Sequence, residues 1–451
     1  MNLSLKRYSA AARLWEKFAL VHFCVMAKKS ANRIATLMLH TSPLEQAGTG
    51  DAGGMNVYVV ESAKKMAASG VEVDIFTRST KSGLPEKVEI APGVNVRHIE
   101  AGPYEGISKD DLPSQLCALT SSFMHVEANL PRGYYDLIHS HYWISGQLGW
   151  MVSERLGIPL VHTMHTMAKV KNLALADGEA PEPTTRAIGE EQVVHAAKAL
   201  IANTDAEAAS LVSLYDACPD NVFVVTPGVD LGRFKIGVGK KASREKLKIA
   251  PDALVLTFVG RIQPHKGPDL LVRAAAEMVM HSPHLRAKLA IMIIGGASGN
   301  GPSEPTNLKN LAKFLGIEDI VHFVPPIARE DLPDWYRAAD LVCVPSYSES
   351  FGLVALEAQA CGTPVVATAV GGLRTAISDG ISGSLVDGHD PKAWSAVISR
   401  LLSEPQKRLL LSMGAVEHAS HFGWDATARG MLDVYDRVLS NEAQSSQVRL
   451  L

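Results

Sequence analysis

The chain has 451 residues, enough for two to four domains at roughly 100–200 residues each. It is 47% hydrophobic and 20% charged, with 36 glycines and 24 prolines, an ordinary globular usage that excludes collagen-like, coiled-coil and disordered readings. Lys plus Arg number 44 against 47 Asp plus Glu, a net charge of -3, so no general footprint for nucleic acid exists and a bound phosphate must be met by local basic groups.

In chain order, residues 1–32 stand apart. Lys6, Arg7 and Arg13 precede a mildly apolar stretch at 18–26, which His22 interrupts and Lys28-Lys29 follow. A signal peptide needs an unbroken apolar core and a small-residue cleavage site. The expectation is an extension outside the core, or an upstream start with Met26 as the working one; a peripheral membrane-contacting helix is the alternative. No apolar run reaches the ~18 residues of a membrane span. The five cysteines share no CxxC spacing, which fits free, mostly buried thiols in a reducing cytoplasm better than disulfides or zinc.

Short β-rich runs then recur at 34–39, 71–76, 94–99, 136–139, 158–163, 199–203 and 222–225, with helical stretches at 56–69, 115–129, 145–156, 188–197 and 205–215. Strands alternating with helices predict a parallel, doubly wound sheet. Thr226-Pro-Gly-Val-Asp230 reads as a crossing linker. The pattern restarts with strands at 255–259, 290–294, 321–324, 341–344, 365–367 and 384–386, spaced by helices at 269–281, 307–315, 331–338, 354–360 and 391–402. A helical segment from 406 to the end closes the chain, its polar tail frayed. The fold class is α/β: two Rossmann-like lobes facing a central cleft, with ligands expected at the carboxyl ends of the strands.

The chemistry-bearing segments follow strands. The loop from His40 to Asn56 holds Gly48, Gly50 and Gly53 in a literal GxGxxG, yet about eight residues separate the strand from the first glycine. That spacing disfavours a dinucleotide fingerprint and favours a glycine loop opening a helix, whose N–H groups can meet an anion or a sugar diphosphate; a plain surface loop is the bland alternative. His139-Ser-His141-Tyr142-Trp143 and His162-Thr-Met-His165-Thr166 invite a metal hypothesis, but no third ligand or base is evident nearby. Buried histidines satisfied by backbone carbonyls are the expectation for His139 and His162, while His165 and Thr166 are candidates for sugar hydroxyls. Lys109 and Arg186 read singly as solvated charges, and gain weight only with one anion between them.

In the second half, Arg261 and Lys266 with the Pro264 and Gly267 turn form a compact diphosphate clamp, and no GxxxxGK[ST] is present. The most specific signal runs from Pro345 to Pro364. Glu349 precedes a short helix, Glu357 lies inside it, and Gly362-Thr-Pro364 stops it. Carboxylates accept from vicinal diols, so one suits a ribose and the other a hexose, and the N–H groups of Phe351 to Leu353 suit a diphosphate.

On Glu349, Glu357, Gly362-Thr-Pro364, the Arg261/Lys266 clamp and the Pro-Gly-Val-Asp linker, the chain resembles the retaining GT-B glycosyltransferases of family 4. The His40–Asn56 loop, Gly102-Pro-Tyr-Glu-Gly106 and His139-Ser-His-Tyr-Trp143 narrow the resemblance to the D-inositol 3-phosphate glycosyltransferases of mycothiol biosynthesis. It covers roughly Arg33 to Tyr435.

The resemblance implies a hexosyltransferase that moves N-acetylglucosamine from UDP-GlcNAc to 1D-myo-inositol 3-phosphate with retention. It implies lobes at 33–226 for the acceptor and 227–417 for the nucleotide sugar, with 418–451 packing back on the first. Carried over by position, His40, Asp51, Ala52, Gly53, Gly54, Met55, Asn56, Lys109, Tyr142, Thr166 and Arg186 hold the acceptor, with Lys109 and Arg186 on its phosphate. Gln46, Ala47, Gly54, Arg261, Lys266, Ile327, Glu349 and Glu357 hold the donor. Arg261, Lys266, Glu349 and His165 act at the reacting centre. A structural Mg2+ maps to Tyr336, Arg337, Ala339 and Thr363, outside that centre; no cofactor is needed for the chemistry. A cytoplasmic homodimer is also implied. Two positions depart from the pattern: Ala47, where a proline is common, and Ile327, in a segment that can carry arginine. Against this stand a transferase with another acceptor, a sugar-nucleotide epimerase, and a bilobal binding protein, which would want a cleavable signal peptide.

Overall fold

The structure is a computed structural model that describes residues 30–176, 179–296 and 305–448, with side chains to 443. The expectation for residues 1–32 therefore falls almost wholly outside the described residues, as does the very end of the tail.

Eight strands form the first sheet: β1 (Arg33–Leu37), β2 (Glu72–Arg78), β3 (Lys87–Ala91), β4 (Val94–Ile99), β5 (Leu137–His141), β6 (Leu160–Thr163), β7 (Ala199–Ala202) and β8 (Val222–Val224). Their order is β3-β4-β2-β1-β5-β6-β7-β8, parallel except for β3. The second sheet holds β9 (Leu254–Val259), β10 (Leu289–Ile294), β11 (Val321–Val324), β12 (Leu341–Val344), β13 (Val365–Thr368) and β14 (Gly383–Val386), in the order β11-β10-β9-β12-β13-β14 and all parallel.

Each sheet is buried on both faces, as parallel sheets between helices must be. In β1, Ala35 and Leu37 join one core while Ile34 joins the opposite one. In β10, Ile291 and Ile293 face one core, and Met292 and Ile294 the other. The period-two alternation of strand side chains thus loads both layers with apolar residues.

The sequence reading is corrected at several points. β3 was not expected: its alternation of exposed and half-buried residues is that of an antiparallel edge, without the apolar run that marks the other strands. The expected helix at 188–197 begins earlier, as Thr184–Ala196, which brings Arg186 into its first turn. Helix Gly239–Leu247 was also missed; its mean hydropathy is low and only Ser243 and Arg244 are buried. The closing helical segment is two helices, Pro405–Ser420 and Trp424–Val448, broken around Phe422-Gly423. Trp424, Ala428, Met431, Tyr435 and Val438, at helical spacing, join the first-lobe core. Among the four described cysteines, Cys117 and Cys218 are exposed and only Cys343 and Cys361 buried, so the thiols are not mostly buried.

The chain crosses between lobes at Thr226–Asp230. Gly228 is needed there by contact: a Cβ would lie 2.4 Å from the Trp424 nitrogen. The outgoing linker and the returning helix are thus pressed together at one place, where the Val229 N–H donates to the Phe422 carbonyl at 2.9 Å. No helix among the described residues is long and apolar enough to cross a membrane.

Sheet order fixes where ligands go. In the first sheet the direction of winding changes between β1 and β5, and in the second between β9 and β12. Loops leaving neighbouring strands at such a point diverge to opposite faces and open a crevice. The two crevices face one another.

Candidate active site

The cleft between the lobes encloses about 930 Å³. It is lined by His40, Gln46, Ala47, Asp51, Gly53, Gly54, Met55, Asn56, Lys109, Tyr142, His165, Thr166 and Arg186 from the first lobe. The second lobe supplies Arg261, Lys266, Ile327, Glu349 and Glu357. Every catalytic, donor and acceptor position named from the sequence is among them except Ala52, which is fully buried beneath the glycine loop.

That loop leaves β1 and opens helix Gly54–Ala68. Asn56 holds its shape: the Gly53 N–H donates to its Oδ1 at 2.9 Å, and its Nδ2 donates to Thr41 Oγ1 and the Ser42 carbonyl at 3.1 and 2.8 Å. Asn56 is itself buried, so its amide is spent on the loop's geometry. The loop reaches across the cleft: Asp51 Oδ1 lies 3.8 Å from Arg261 Nη1, and Gly54 sits beside Leu353 of the second lobe. Two helix N-termini, at Gly54 and Leu353, therefore meet at one space, and first-turn N–H groups have no intrahelical partners.

On the first lobe's wall, His139 and His141 lie within β5 and His162 within β6, not beyond the strands. The expectation of carbonyl partners is corrected. His139 Nδ1 pairs with the Tyr435 hydroxyl at 2.6 Å and its Nε2 with Thr163 Oγ1 at 2.9 Å; His162 Nδ1 pairs with Ser140 Oγ at 2.8 Å. His141 Nδ1 and His165 Nε2 are hydrogen-bonded at 2.9 Å. Among the described residues no group of three or more His, Cys, Asp or Glu is placed to hold a metal ion, so these histidines are a hydrogen-bonded stack. His165, just past β6 at φ 60°, occupies the left-handed region, where a non-glycine residue at a cleft marks local strain.

Burial keeps these imidazoles neutral. It lowers His40, His162 and His165 to about 3 and His265 to about 2, and takes His139 and His141 well below the usual value; Lys109 and Arg261 add to the effect on His40. A base whose folded pKa is depressed stabilises the fold above its unfolded pKa, near 6.5, and that stability is lost as pH falls below it. Burial raises the carboxyls of Glu190, Glu207 and Glu357, which act with the opposite sign. Six imidazoles against three carboxyls leave the net direction with the histidines. The thermal midpoint is expected to fall from pH 6.5 to 5.5, driven by up to about 1.4 kcal/mol per histidine per pH unit. A midpoint flat over that range, read by differential scanning calorimetry, contradicts this.

Arg186 is not a solvated surface charge. It is 5% exposed, with Nε to Glu190 Oε1 at 2.8 Å, Nη1 to Glu182 Oε2 at 2.7 Å and Nη2 to Thr166 Oγ1 at 2.9 Å. Its guanidinium also lies 5.0 Å from the centre of the Tyr142 ring, and burial pushes that phenol up to about 12. Burial opposes the charge of Arg186, but Tyr142, Glu190 and Glu182 outweigh it and its pKa rises. Lys109 makes no ion pair among the described residues and stands exposed at the cleft mouth.

On the second lobe, Arg261 follows β9, and burial lowers its pKa against the pull of Asp51. A partly desolvated cation that Asp51 and Glu349 reach only through charge, with no closer carboxylate than Asp51 at 3.8 Å, is poised for a further anion. Lys266 Nζ donates to Glu349 Oε2 at 2.7 Å. Glu357 is buried; the Tyr336 hydroxyl donates to its Oε2 at 2.9 Å and Arg329 Nη2 to its Oε1 at 3.4 Å. The sequence reading missed Arg329, Glu61, Glu182 and Glu190. The spacing of 182, 186 and 190 at steps of four was a usable signal; nothing local ties Arg329 to Glu61.

The four implied magnesium positions lie outside the cleft lining apart from Tyr336. Helix Leu332–Ala338 ends there, and Thr363 Oγ1 donates to the Tyr336 carbonyl at 2.6 Å. Carbonyls at a helix C-terminus beside a hydroxyl are oxygen donors of the kind a hard cation takes.

Residues 239–415 match the family described as glycosyl transferases group 1, and residues 53–228 match the glycosyl transferase 4-like domain. A D-inositol 3-phosphate glycosyltransferase 2 of Catenulispora acidiphila is 59% identical over 91% of this chain and 96% of its own length. A D-inositol 3-phosphate glycosyltransferase of Streptosporangium roseum is 56% identical over 92% of this chain and 95% of its own. Among solved structures, a sucrose-phosphate synthase from Thermosynechococcus elongatus superposes with a TM-score of 0.82 at 31% identity, covering 90% of this chain and 98% of that one.

Proposed function

The chain belongs to the D-inositol 3-phosphate glycosyltransferases, within the retaining GT-B glycosyltransferases, and from that premise we propose that it transfers N-acetylglucosamine from UDP-GlcNAc to 1D-myo-inositol 3-phosphate. The products are the GlcNAc-inositol phosphate and UDP, the first step of mycothiol biosynthesis. The observation that carries the reading is one cleft in which Lys109 and Arg186 of the first lobe and the Arg261, Lys266, Glu349 and Glu357 set of the second share a lining with two helix N-termini.

Catalysis proceeds at one face of the sugar. The bond from the anomeric carbon to the diphosphate breaks, the inositol hydroxyl forms the new bond on the same side, and its proton passes to the departing diphosphate. The protein acts by positioning and by stabilising charge. Arg261 and Lys266 receive the growing negative charge on the diphosphate. Glu349, released from part of its pairing with Lys266, takes sugar hydroxyls, and Glu357 takes the ribose diol. His165, neutral and held by His141, offers its remaining ring nitrogen to the hexose. Mg2+ bound by Tyr336, Arg337, Ala339 and Thr363 would be structural, fastening a helix end to the neighbouring turn. The resemblance also supports a cytoplasmic enzyme working as a homodimer.

The acceptor phosphate lies between Lys109 and Arg186. Arg186 is already ringed by two carboxylates and a threonine, so Lys109 supplies the uncommitted charge. Lys109→Ala is expected to raise the acceptor KM by about tenfold or more, while the donor KM moves by less than about twofold. Equal changes in both constants contradict the phosphate assignment. Release of UDP only when acceptor is added separates this reaction from that of a sugar-nucleotide epimerase.

A further inference from the structure

We propose that Arg329 is a positioning residue that couples the nucleoside end of the donor site to the closed arrangement of the two lobes, through Glu61 and Glu357. Arg329 lies in the loop between β11 and helix Leu332–Ala338. Its Nη1 donates at 2.8 Å to Oε1 of Glu61, on the first-lobe helix Gly54–Ala68. Its Nη2 donates at 3.4 Å to Oε1 of Glu357, on the second-lobe helix Leu353–Ala360. One guanidinium therefore spans both lobes, and all three side chains line the same cleft.

The surroundings favour a working contact over a decorative surface pair. The three side chains are 7–16% exposed, and the Arg329 guanidinium lies 5.5 Å from the centre of the Phe234 ring. Its Nε is buried with no partner. An ionised carboxylate has about four acceptor positions. Arg329 and the Tyr336 hydroxyl fill two on Glu357, which leaves two for a vicinal diol and fixes the plane in which they point. Arg329 thus orients the group that meets the ribose, and its other arm holds the first lobe against the second. A ligand that needs this orientation binds the arrangement in which both arms are made, and so shifts the lobes toward it. The exposed pair of Arg33 with Glu72, by contrast, only joins neighbouring strands β1 and β2 of one sheet.

The inference rests on the reading of Glu357 as the ribose acceptor, and the test separates the two. UDP binding to the full chain is measured by calorimetry, UDP-induced compaction by small-angle scattering, and donor and acceptor KM by steady-state kinetics, for wild type, Arg329→Met, Arg329→Lys and Glu61→Gln. Arg329→Met is expected to weaken UDP binding and raise the donor KM by about tenfold, with the acceptor KM inside about twofold. Glu61→Gln, nearly isosteric, is expected to lose most of the compaction while retaining UDP binding to within about threefold, because the Glu357 arm survives. Arg329→Lys keeps the charge but not the fork, and is expected to restore part of the UDP affinity without the compaction. UDP affinity unchanged in Arg329→Met, or wild-type compaction in Glu61→Gln, overturns the proposal. A wild-type chain that does not bind UDP overturns the sugar-nucleotide reading itself.

Discussion

Arg261→Ala and Lys266→Ala are each expected to lower kcat by about 10²–10³-fold, or about 3–4 kcal/mol in the barrier. The physical case is strongest for Arg261. Its side chain is three-quarters buried, burial lowers its pKa, and Asp51 stands 3.8 Å away as the nearest carboxylate. A cation already partly shielded from water and fixed in place stabilises developing charge with little reorganisation. Lys266 differs, because Glu349 holds it at 2.7 Å and its loss also frees a carboxylate next to the departing diphosphate. Lys266→Ala should therefore lower turnover beyond the loss of one charge, and Lys266→Arg, which keeps the charge beside Glu349, should lower it less. Unchanged turnover in either alanine variant, with the fold intact by circular dichroism, contradicts the assignment.

Gly267→Ala should damage the same site through the backbone. Gly267 has φ 65° and a Cβ there would lie 2.1 Å from the Pro345 carbonyl oxygen. That carbonyl belongs to the turn leading from β12 to Glu349, and Gly267 directly follows Lys266. The added methyl cannot be accommodated by a side-chain rotation, since its obstacle is main chain. The two turns must separate, which draws Lys266 away from Glu349. A destabilisation of about 1–3 kcal/mol is expected, together with a fall in kcat comparable to that of Lys266→Ala. Gly316→Ala is the control: φ is 67° but no atom lies within 4 Å of its Cβ, so only the conformational cost of about 1 kcal/mol applies. Equal melting midpoints for Gly267→Ala and wild type would falsify the close-packing argument.

The strands of both sheets were legible because parallel strands buried on two faces read as unbroken apolar runs, as at Leu254–Val259 and Leu289–Ile294. β3 was not, since an edge strand with one exposed face resembles a polar loop. The location of the cleft followed from the rule that ligands sit beyond strand ends, and the loops after β1, β5, β6, β9 and β12 all open into it. What stayed hidden were the partners. Arg186 reads as an isolated charge only while its neighbours four residues away are overlooked, whereas Glu61 and Arg329 are separated by 268 positions and meet only through the closure of two lobes. The histidines show the same limit. Their burial was foreseeable from their strands, but the Tyr435 hydroxyl that holds His139 arrives from the last helix of the chain.

Product analysis by mass spectrometry tests the central claim most directly, with UDP-GlcNAc offered alone, with 1D-myo-inositol 3-phosphate, and with free inositol. The account predicts a GlcNAc-inositol phosphate that forms only with the phosphorylated acceptor, with UDP released in equal amount and the anomeric configuration retained by NMR. Transfer to free inositol at the same rate, or no transfer to the phosphate by a chain that binds UDP-GlcNAc, would contradict it.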